Sequence, residues 1–193
     1  SLKNQGVKVE QAPYLPYAKH ISGYNHILAL DAFIQGKMVV QDVSSMLVAE
    51  IADPKWGNYC IDVCAAPGGK SLHLSDKLAG SGYVEARDLT DYKVELMREN
   101  LERTKRINME AVKQDATVFD ENSVEKADIL LADLPCSGLG VMGRKPDIRY
   151  KMTETKQQEL VNGRKVERCT MPTALIQIAP YIVWAGCRSN AVG

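Results

Sequence analysis

Apolar and polar positions along this chain fall into blocks that read alternately as strand and helix. Tyr59-Cys60-Ile61-Asp62-Val63-Cys64 is an apolar run of strand length, and Ala65-Ala66-Pro67-Gly68-Gly69-Lys70-Ser71 follows it as a glycine turn that opens a helix. The helix is expected to run to about Ala79, burying Leu72 and Leu78, and to stop at Gly80-Ser81-Gly82. Tyr83-Val84-Glu85-Ala86-Arg87 predicts a second strand ending at Asp88. Thr90 then caps a helix in which Val94, Met97 and Leu101 recur at helical spacing while Arg98, Glu99, Glu102, Arg103 and Lys105 face water. Glu110-Ala111-Val112-Lys113 predicts a weak third strand, followed by Asp115, and Ile129-Leu130-Leu131-Ala132 a strong fourth, followed by Asp133. Strands alternating with helices predict an α/β fold with a parallel sheet and right-handed crossovers.

The two ends of the chain are patterned differently. Residues 1–40 are rich in Pro, Tyr and Gly and predict loops and short strands, with Met38-Val39-Val40 as one strand. Asp42 or Ser44 predicts the cap of a helix carrying Met46, Leu47, Val48 and Ile51, which stops near Asp53-Pro54. Leu175 to Trp184 fits either a helix kinked at Pro180 or a strand. A length of 193 residues fits one main domain, and 45% hydrophobic with 25% charged residues excludes wholesale disorder. The formal net charge is zero, so nucleic-acid binding would rest on local basic patches. With no run of membrane-span length and no signal segment, a cytoplasmic protein is expected, and a chain starting at Ser1 is expected to be a piece of a longer one. The five cysteines are odd in number and scattered, unlike a disulfide framework; Cys60 and Cys64 have no partner pair at zinc spacing, so they are expected in the core and no metal is expected.

The turn after the first strand is a cradle for a ligand, because a helix start offers unpaired N–H groups and a positive dipole end. It is not the Walker phosphate loop, which needs glycine at Cys64, and it does not fit G-x-G-x-x-G. Asp88 lies roughly 20 residues beyond the glycines, where nucleotide-binding folds place the acid that receives ribose hydroxyls. A parallel sheet would set Asp88, Asp115 and Asp133 at one edge beside the cradle. Any single one is accounted for as a loop or capping residue; the three together suit a neutral adenosine-type ligand, since carboxylates accept hydroxyl and amino protons but repel phosphate. Cys136, in Asp133-Leu134-Pro135-Cys136-Ser137-Gly138, is either a buried inert thiol or a nucleophile presented on a loop. Arg144, Lys145, Arg149 and Tyr150 form a basic stretch that is either a solvated loop or an RNA contact. His20, His26 and His73 are isolated; His73 is expected on the exposed side of its helix, and none is given a ligand role.

Four motifs, Gln41-Asp42-Val43-Ser44-Ser45, Asp62 to Lys70, Asp133 to Gly138 and Arg144-Lys145-Pro146-Asp147-Ile148-Arg149, resemble those of the Sun/RsmB family of RNA (cytosine-5-)-methyltransferases, in the family's order and spacing from about residue 7 to residue 161. The likeness is greatest to the bacterial members that act on small-subunit ribosomal RNA. It implies a Rossmann-like S-adenosylmethionine-dependent methyltransferase fold, incomplete at the C-terminal end of the sheet, and S-adenosyl-L-methionine as cofactor. It places Cys64, Ala65, Ala66, Pro67, Gly68, Gly69 and Lys70 around the amino-acid end of the cofactor, Asp88 on the ribose and Asp115 at the adenine. It also implies that Asp133 contacts the target cytosine, that Cys136 belongs to the catalytic apparatus, and that ribosomal RNA is the partner, with no membrane.

From Asn162 onward the likeness falls away. Family members carry a Pro-Gly-Gly turn and a fifth strand ending in Thr-Cys, whose cysteine attacks the base while the counterpart of Cys136 helps release the product. Here no Thr-Cys pair exists: Cys169-Thr170 has the reverse order, and Cys187 follows Gly186 without a clear strand. The expected division is a connecting segment from an N-terminal RNA-binding domain over residues 1–40, a methyltransferase core over 41–161 and an atypical C-terminal segment over 162–193. The expected function is methylation of carbon-5 of a cytosine in small-subunit ribosomal RNA, impaired if the nucleophile is lost. The alternatives are a non-catalytic S-adenosylmethionine- or RNA-binding remnant, and attack by Cys136 itself, as in DNA cytosine methyltransferases.

Overall fold

A computed structural model describes residues 1–124, 126–133, 155 and 158, together with the backbone of residues 181–183. Cys136, Arg144, Lys145, Arg149, Tyr150 and Cys187 lie outside the described residues. The chain begins with a hairpin of β1 (Lys8–Gln11) and β2 (Lys19–Ser22), antiparallel from Lys8 opposite Ser22 to Gln11 opposite Lys19. The Gln11 amide closes its loop by donating to the carbonyls of Leu15 at 2.8 Å and Ala18 at 3.1 Å. A single-turn helix α1 (Asp31–Ile34) follows, then α2 (Val43–Ala52) with Asp42 at its cap position. Met38 to Val40 is not a strand, contrary to the expectation: among the described residues no strand pairs with it, and the Met38 carbonyl instead accepts a hydrogen bond from Arg103 Nη1 at 3.1 Å.

The main sheet is built from β3 (Tyr59–Asp62), β4 (Tyr83–Asp88), β5 (Met109–Lys113), β6 (Ile129–Leu131) and β7 (Tyr181–Val183), in the order β5-β4-β3-β6-β7, with every pair parallel. Helices α3 (Gly69–Lys77) and α4 (Asp91–Thr104) are the crossovers from β3 to β4 and from β4 to β5. This is the expected α/β architecture. Within residues 175–184, which fit either a kinked helix or a strand, residues 181–183 form a strand, pairing Tyr181, Ile182 and Val183 with Ile129, Leu130 and Leu131. α3 ends two residues earlier than expected, because Ala79 (φ 49°) and Gly80 (φ 80°) take left-handed backbone that a helix cannot continue through.

Strand alternation sorts the side chains into two layers. Cys60, Val84, Ala86, Ile129 and Leu131 pack on Leu72, Leu74 and Leu78 of α3 and Val94 and Met97 of α4, while Ile61, Val63, Leu130 and Ala132 face the other side. Cys60 is fully buried, and burial pushes its thiol up to about 12, so it is an inert core residue as expected. Each fully buried Leu or Met here contributes roughly 1.5–3 kcal/mol.

The N-terminal segment is fastened to this core at two places. Arg103, near the end of α4, donates to the carbonyls of Phe33 (2.9 Å) and Met38, and its guanidinium lies 3.9 Å from the centroid of the Phe33 ring. Gly36 lies against the same helix end, with φ +68°, and a Cβ there would fall 2.1 Å from the Arg103 carbonyl oxygen. The second fastening is Tyr17, whose hydroxyl donates to Glu50 Oε1 at 2.5 Å and lies 3.0 Å from His73 Nε2. His73 is therefore not on an exposed side of α3: its side chain is 11% exposed, because residues from 56 positions earlier cover it, and burial lowers its pKa. Lys77 completes the cluster by donating to Glu50 at 2.8 Å.

At the end of β3, Asp62 is 1% exposed and accepts from the Ser71 hydroxyl at 2.6 Å, which ties the strand to the first turn of α3. Its other oxygen, Oδ1, is buried with no hydrogen-bond partner among the described residues. Burial pushes this carboxyl up to about 7, with the Ser71 hydroxyl offsetting only part of the shift.

Two predictions follow from these contacts. Gly36→Ala should lower unfolding free energy by about 2–4 kcal/mol and raise amide exchange across residues 33–38; urea unfolding and exchange equal to wild type would exclude the close packing. For Asp62 the folded pKa lies above the unfolded one, so its contribution to stability is complete below pH 4 and is lost as pH rises through about 7. Wild type should thus lose stability relative to Asp62→Asn between pH 4 and 8, by at most about 1.4 kcal/mol per pH unit. Parallel melting-temperature profiles for the two proteins would refute the shift.

Candidate functional site

The turn leaving β3 is held from both sides. Val63 N–H donates to the Leu131 carbonyl of β6 at 3.0 Å, and Ala65 N–H to the Arg87 carbonyl of β4 at 2.9 Å. Ala66 N–H donates to Asp88 Oδ2 at 3.0 Å, and Asn100 of α4 donates to the Pro67 carbonyl at 3.0 Å. Gly68 occupies the cap position of α3 with φ 99°, a conformation that suits glycine, and no side chain caps the helix. The first-turn N–H groups of α3 are thus left without a capping side chain, at the end where the helix dipole is positive.

Three carboxylates stand at the same edge, as parallel strands require. Asp88, the last residue of β4, is 3% exposed; besides Ala66 N–H it accepts from Leu89 N–H at 2.8 Å and Lys93 Nζ at 2.9 Å. Asp115 follows β5 and accepts from the Thr117 N–H (2.9 Å) and hydroxyl (2.6 Å), which hold its carboxyl below the usual range. The Asp115 loop starts beside Asp88, since Gln114 N–H donates to the Asp88 carbonyl at 3.0 Å. Asp133 follows β6 and pairs with Lys70 of α3, Nζ to Oδ2 2.6 Å, with both side chains about a quarter exposed.

The structure therefore brings together the 64–70 turn, Asp88, Asp115 and Asp133. It also adds residues to which the sequence analysis gave no place in the site. Lys93 is one: its signal is position, five residues past the strand-end acid in the first turn of the next helix. Gln41 is another, with a buried amide nitrogen that has no partner among the described residues and with its Cδ 3.8 Å from where a Gly69 Cβ would lie. Its signal was the Gln-Asp motif it opens. Arg87 is a third, a cation inside a strand. Among the described residues no group of His, Cys, Asp and Glu could hold a metal ion, and no helix is long and apolar enough to cross a membrane.

Comparison with known proteins agrees with this geometry. The family model described as 16S rRNA methyltransferase RsmB/F matches residues 49–191, past the point at Asn162 where the motif likeness weakens. The probable ribosomal RNA small subunit methyltransferase B of Bacillus subtilis (strain 168) is 39% identical over 148 residues, covering 76% of this chain and 33% of that protein. The ribosomal RNA small subunit methyltransferase B of Photorhabdus laumondii is 34% identical over 163 residues, covering 83% and 37%. The chain spans about one third of the length of these relatives. Among solved structures, PH0851 superposes with a TM-score of 0.84 at 26% identity, over 96% of this chain and 42% of that one. NSun6 from Pyrococcus horikoshii with SFG superposes at 0.64 and 27% identity, over 76% of this chain and 37% of that one. The fold is the Rossmann-like fold of S-adenosylmethionine-dependent methyltransferases, and the chain belongs to the RsmB/F family of 16S rRNA methyltransferases.

Proposed function

We propose that this chain is the S-adenosyl-L-methionine-binding core of a cytoplasmic enzyme that methylates carbon-5 of a cytosine in small-subunit ribosomal RNA. The observation that carries the reading is the uncapped start of α3 facing the same sheet edge as Asp88 and Asp115. These groups fit the cofactor. Backbone N–H groups and a positive helix end suit the carboxylate of an amino-acid tail, and two strand-end carboxylates suit the hydroxyl and amino donors of adenosine. Bound there, S-adenosylmethionine supplies a methyl group on a sulfonium centre.

Carbon-5 of cytosine is a poor nucleophile. In this reading a cysteine thiolate of the chain adds to carbon-6, which makes carbon-5 nucleophilic; after transfer a base takes the carbon-5 proton and the thiolate leaves. Asp133, partly exposed with Lys70 on its carboxylate, is suited to contact the ring edge of the cytosine by accepting hydrogen bonds from it. Arg144, Lys145, Arg149 and Tyr150 would meet the phosphates and a neighbouring base of RNA whose target cytosine is presented unstacked.

A second cysteine joins Cys136 in this proposal. β7 runs parallel to β6, so its last residue, Val183, lies at the same edge of the sheet as Leu131, from which β6 leads to Asp133. A strand therefore does precede Cys187, which follows Val183 by four positions in the sequence. In this reading Cys187 takes the part of the family's attacking cysteine, with Gly186 in place of threonine. Cys187 is assigned the attack on carbon-6, and Cys136 the release of product.

The test uses the chain with S-adenosylmethionine and small-subunit ribosomal RNA fragments containing 5-fluorocytidine, reading covalent protein–RNA adducts on denaturing gels. Wild type should form an adduct and Cys187→Ala should not, with methyl transfer to ordinary RNA down by at least roughly 10³-fold. Cys136→Ala should accumulate adduct even on ordinary RNA. Loss of adduct in Cys136→Ala but not in Cys187→Ala would reverse the assignment, and cofactor binding without any adduct would favour a non-catalytic remnant.

A further inference from the structure

Resting on the cofactor reading above, we infer that Arg87 is a positioning residue for the adenosine end of S-adenosylmethionine, because its guanidinium fixes the Asp115 loop at a set distance from Asp88. Arginine is seldom buried without partners, and the Arg87 side chain is only 8% exposed. Its fork is satisfied by three oxygens. Nε donates to Glu85 Oε1 at 2.5 Å, Nη1 to Asp120 Oδ2 at 3.2 Å, and Nη2 to the Ser123 hydroxyl at 2.6 Å.

Two of those partners are not on the sheet. Asp120 and Ser123 belong to a short turn at the far end of the loop that begins at Gln114 and carries Asp115. Asp120 caps the turn by accepting from Asn122 N–H at 3.1 Å and from the Ser123 hydroxyl. The near end of the loop is fixed by Gln114 N–H on the Asp88 carbonyl. Both anchors are thus supplied by consecutive residues of β4, the backbone of Asp88 at one end and the side chain of Arg87 at the other.

Among the described residues the middle of the loop is lightly packed. Val118 is 63% exposed and Phe119 46%, so neither packs it down; Ala116 alone of its apolar side chains is packed against the core cluster around Ile61. The hydrogen bonds from Thr117 to Asp115 lie within the loop and fix its shape, not its place. The far end of the loop is tied to the sheet by Arg87, whose planar fork matches a carboxylate and a hydroxyl together, as a lysine ammonium does not.

The measurement is calorimetric binding of S-adenosylhomocysteine and of its inosine counterpart, which lacks the exocyclic amino donor, to wild type, Arg87→Leu, Arg87→Lys and Asp120→Asn. Wild type should prefer the adenosine compound. Arg87→Leu should bind it about tenfold more weakly, should lose most of the preference over inosine, and should raise the KM for the methyl donor more than it lowers kcat. Asp120→Asn, which keeps the turn's cap, should show the same loss of preference to a smaller degree, and it carries the test if Arg87→Leu does not fold. Arg87→Lys should not restore the preference. Folded Arg87→Leu or Asp120→Asn with wild-type affinity and preference would overturn this inference alone. Failure of wild type to bind S-adenosylhomocysteine would overturn the cofactor reading and the inference together.

Discussion

The turn between β3 and α3 depends on being hydrogen-bonded to the strands on both sides of it. β3 is the middle strand of five, so the residues that leave it pass between the ends of β4 and β6, and Val63, Ala65 and Ala66 each donate a backbone N–H to one of those ends. Singly such bonds contribute only about 0.5–1.5 kcal/mol. Their geometric effect is larger, because they fix the start of α3 relative to Asp88 on one side and Asp133 on the other. The two sides of the site, one at Asp88 and one beside Lys70, are therefore related through a single short turn held to both neighbouring strands, which favours pre-organised binding.

α3 is braced from its opposite side as well. Its sheet-facing residues Leu72 and Leu74 are buried in the core, while His73 is covered by Tyr17 and joined through Glu50 to Lys77. The N-terminal segment that supplies Tyr17 is itself fixed at the end of α4 by Arg103 and Gly36. A helix held on two faces cannot shift without breaking one of them, so Lys70 is presented to Asp133 from a rigid support.

Most of the sheet was legible because its strands are apolar runs bounded by turn residues, and its helices repeat their apolar positions at the right spacing. What could not be read has a common cause. Met38 to Val40 has strand composition but no neighbouring strand among the described residues, and Leu175 to Trp184 stayed open between helix and strand because a short apolar run fits both until a partner such as β6 is known. His73 looked exposed because the residue that covers it lies 56 positions away in sequence. At the site, the strand-end acids could be read from order alone. The contacts of Lys93, Arg87 and Asp62 could not, since each depends on burial and on a partner brought near by the fold.

The arrangement of charge around α3 gives Asp62 and Asp133 different parts to play, although both stand near Lys70. Asp133 is partly exposed and holds the ammonium at 2.6 Å. Asp62 is wholly buried beneath the helix start, where desolvation and the Asp133 carboxylate raise its pKa and Lys70 lowers it only in part. With its carboxyl pushed up to about 7, Asp62 carries only part of a negative charge near neutral pH, while the Ser71 hydroxyl still locks strand to helix. A full charge in that position would oppose the positive end of the helix dipole from behind. Because burial raises the Asp62 pKa, the carboxyl that secures the turn through Ser71 opposes the positive end of α3 less than a freely ionised one would.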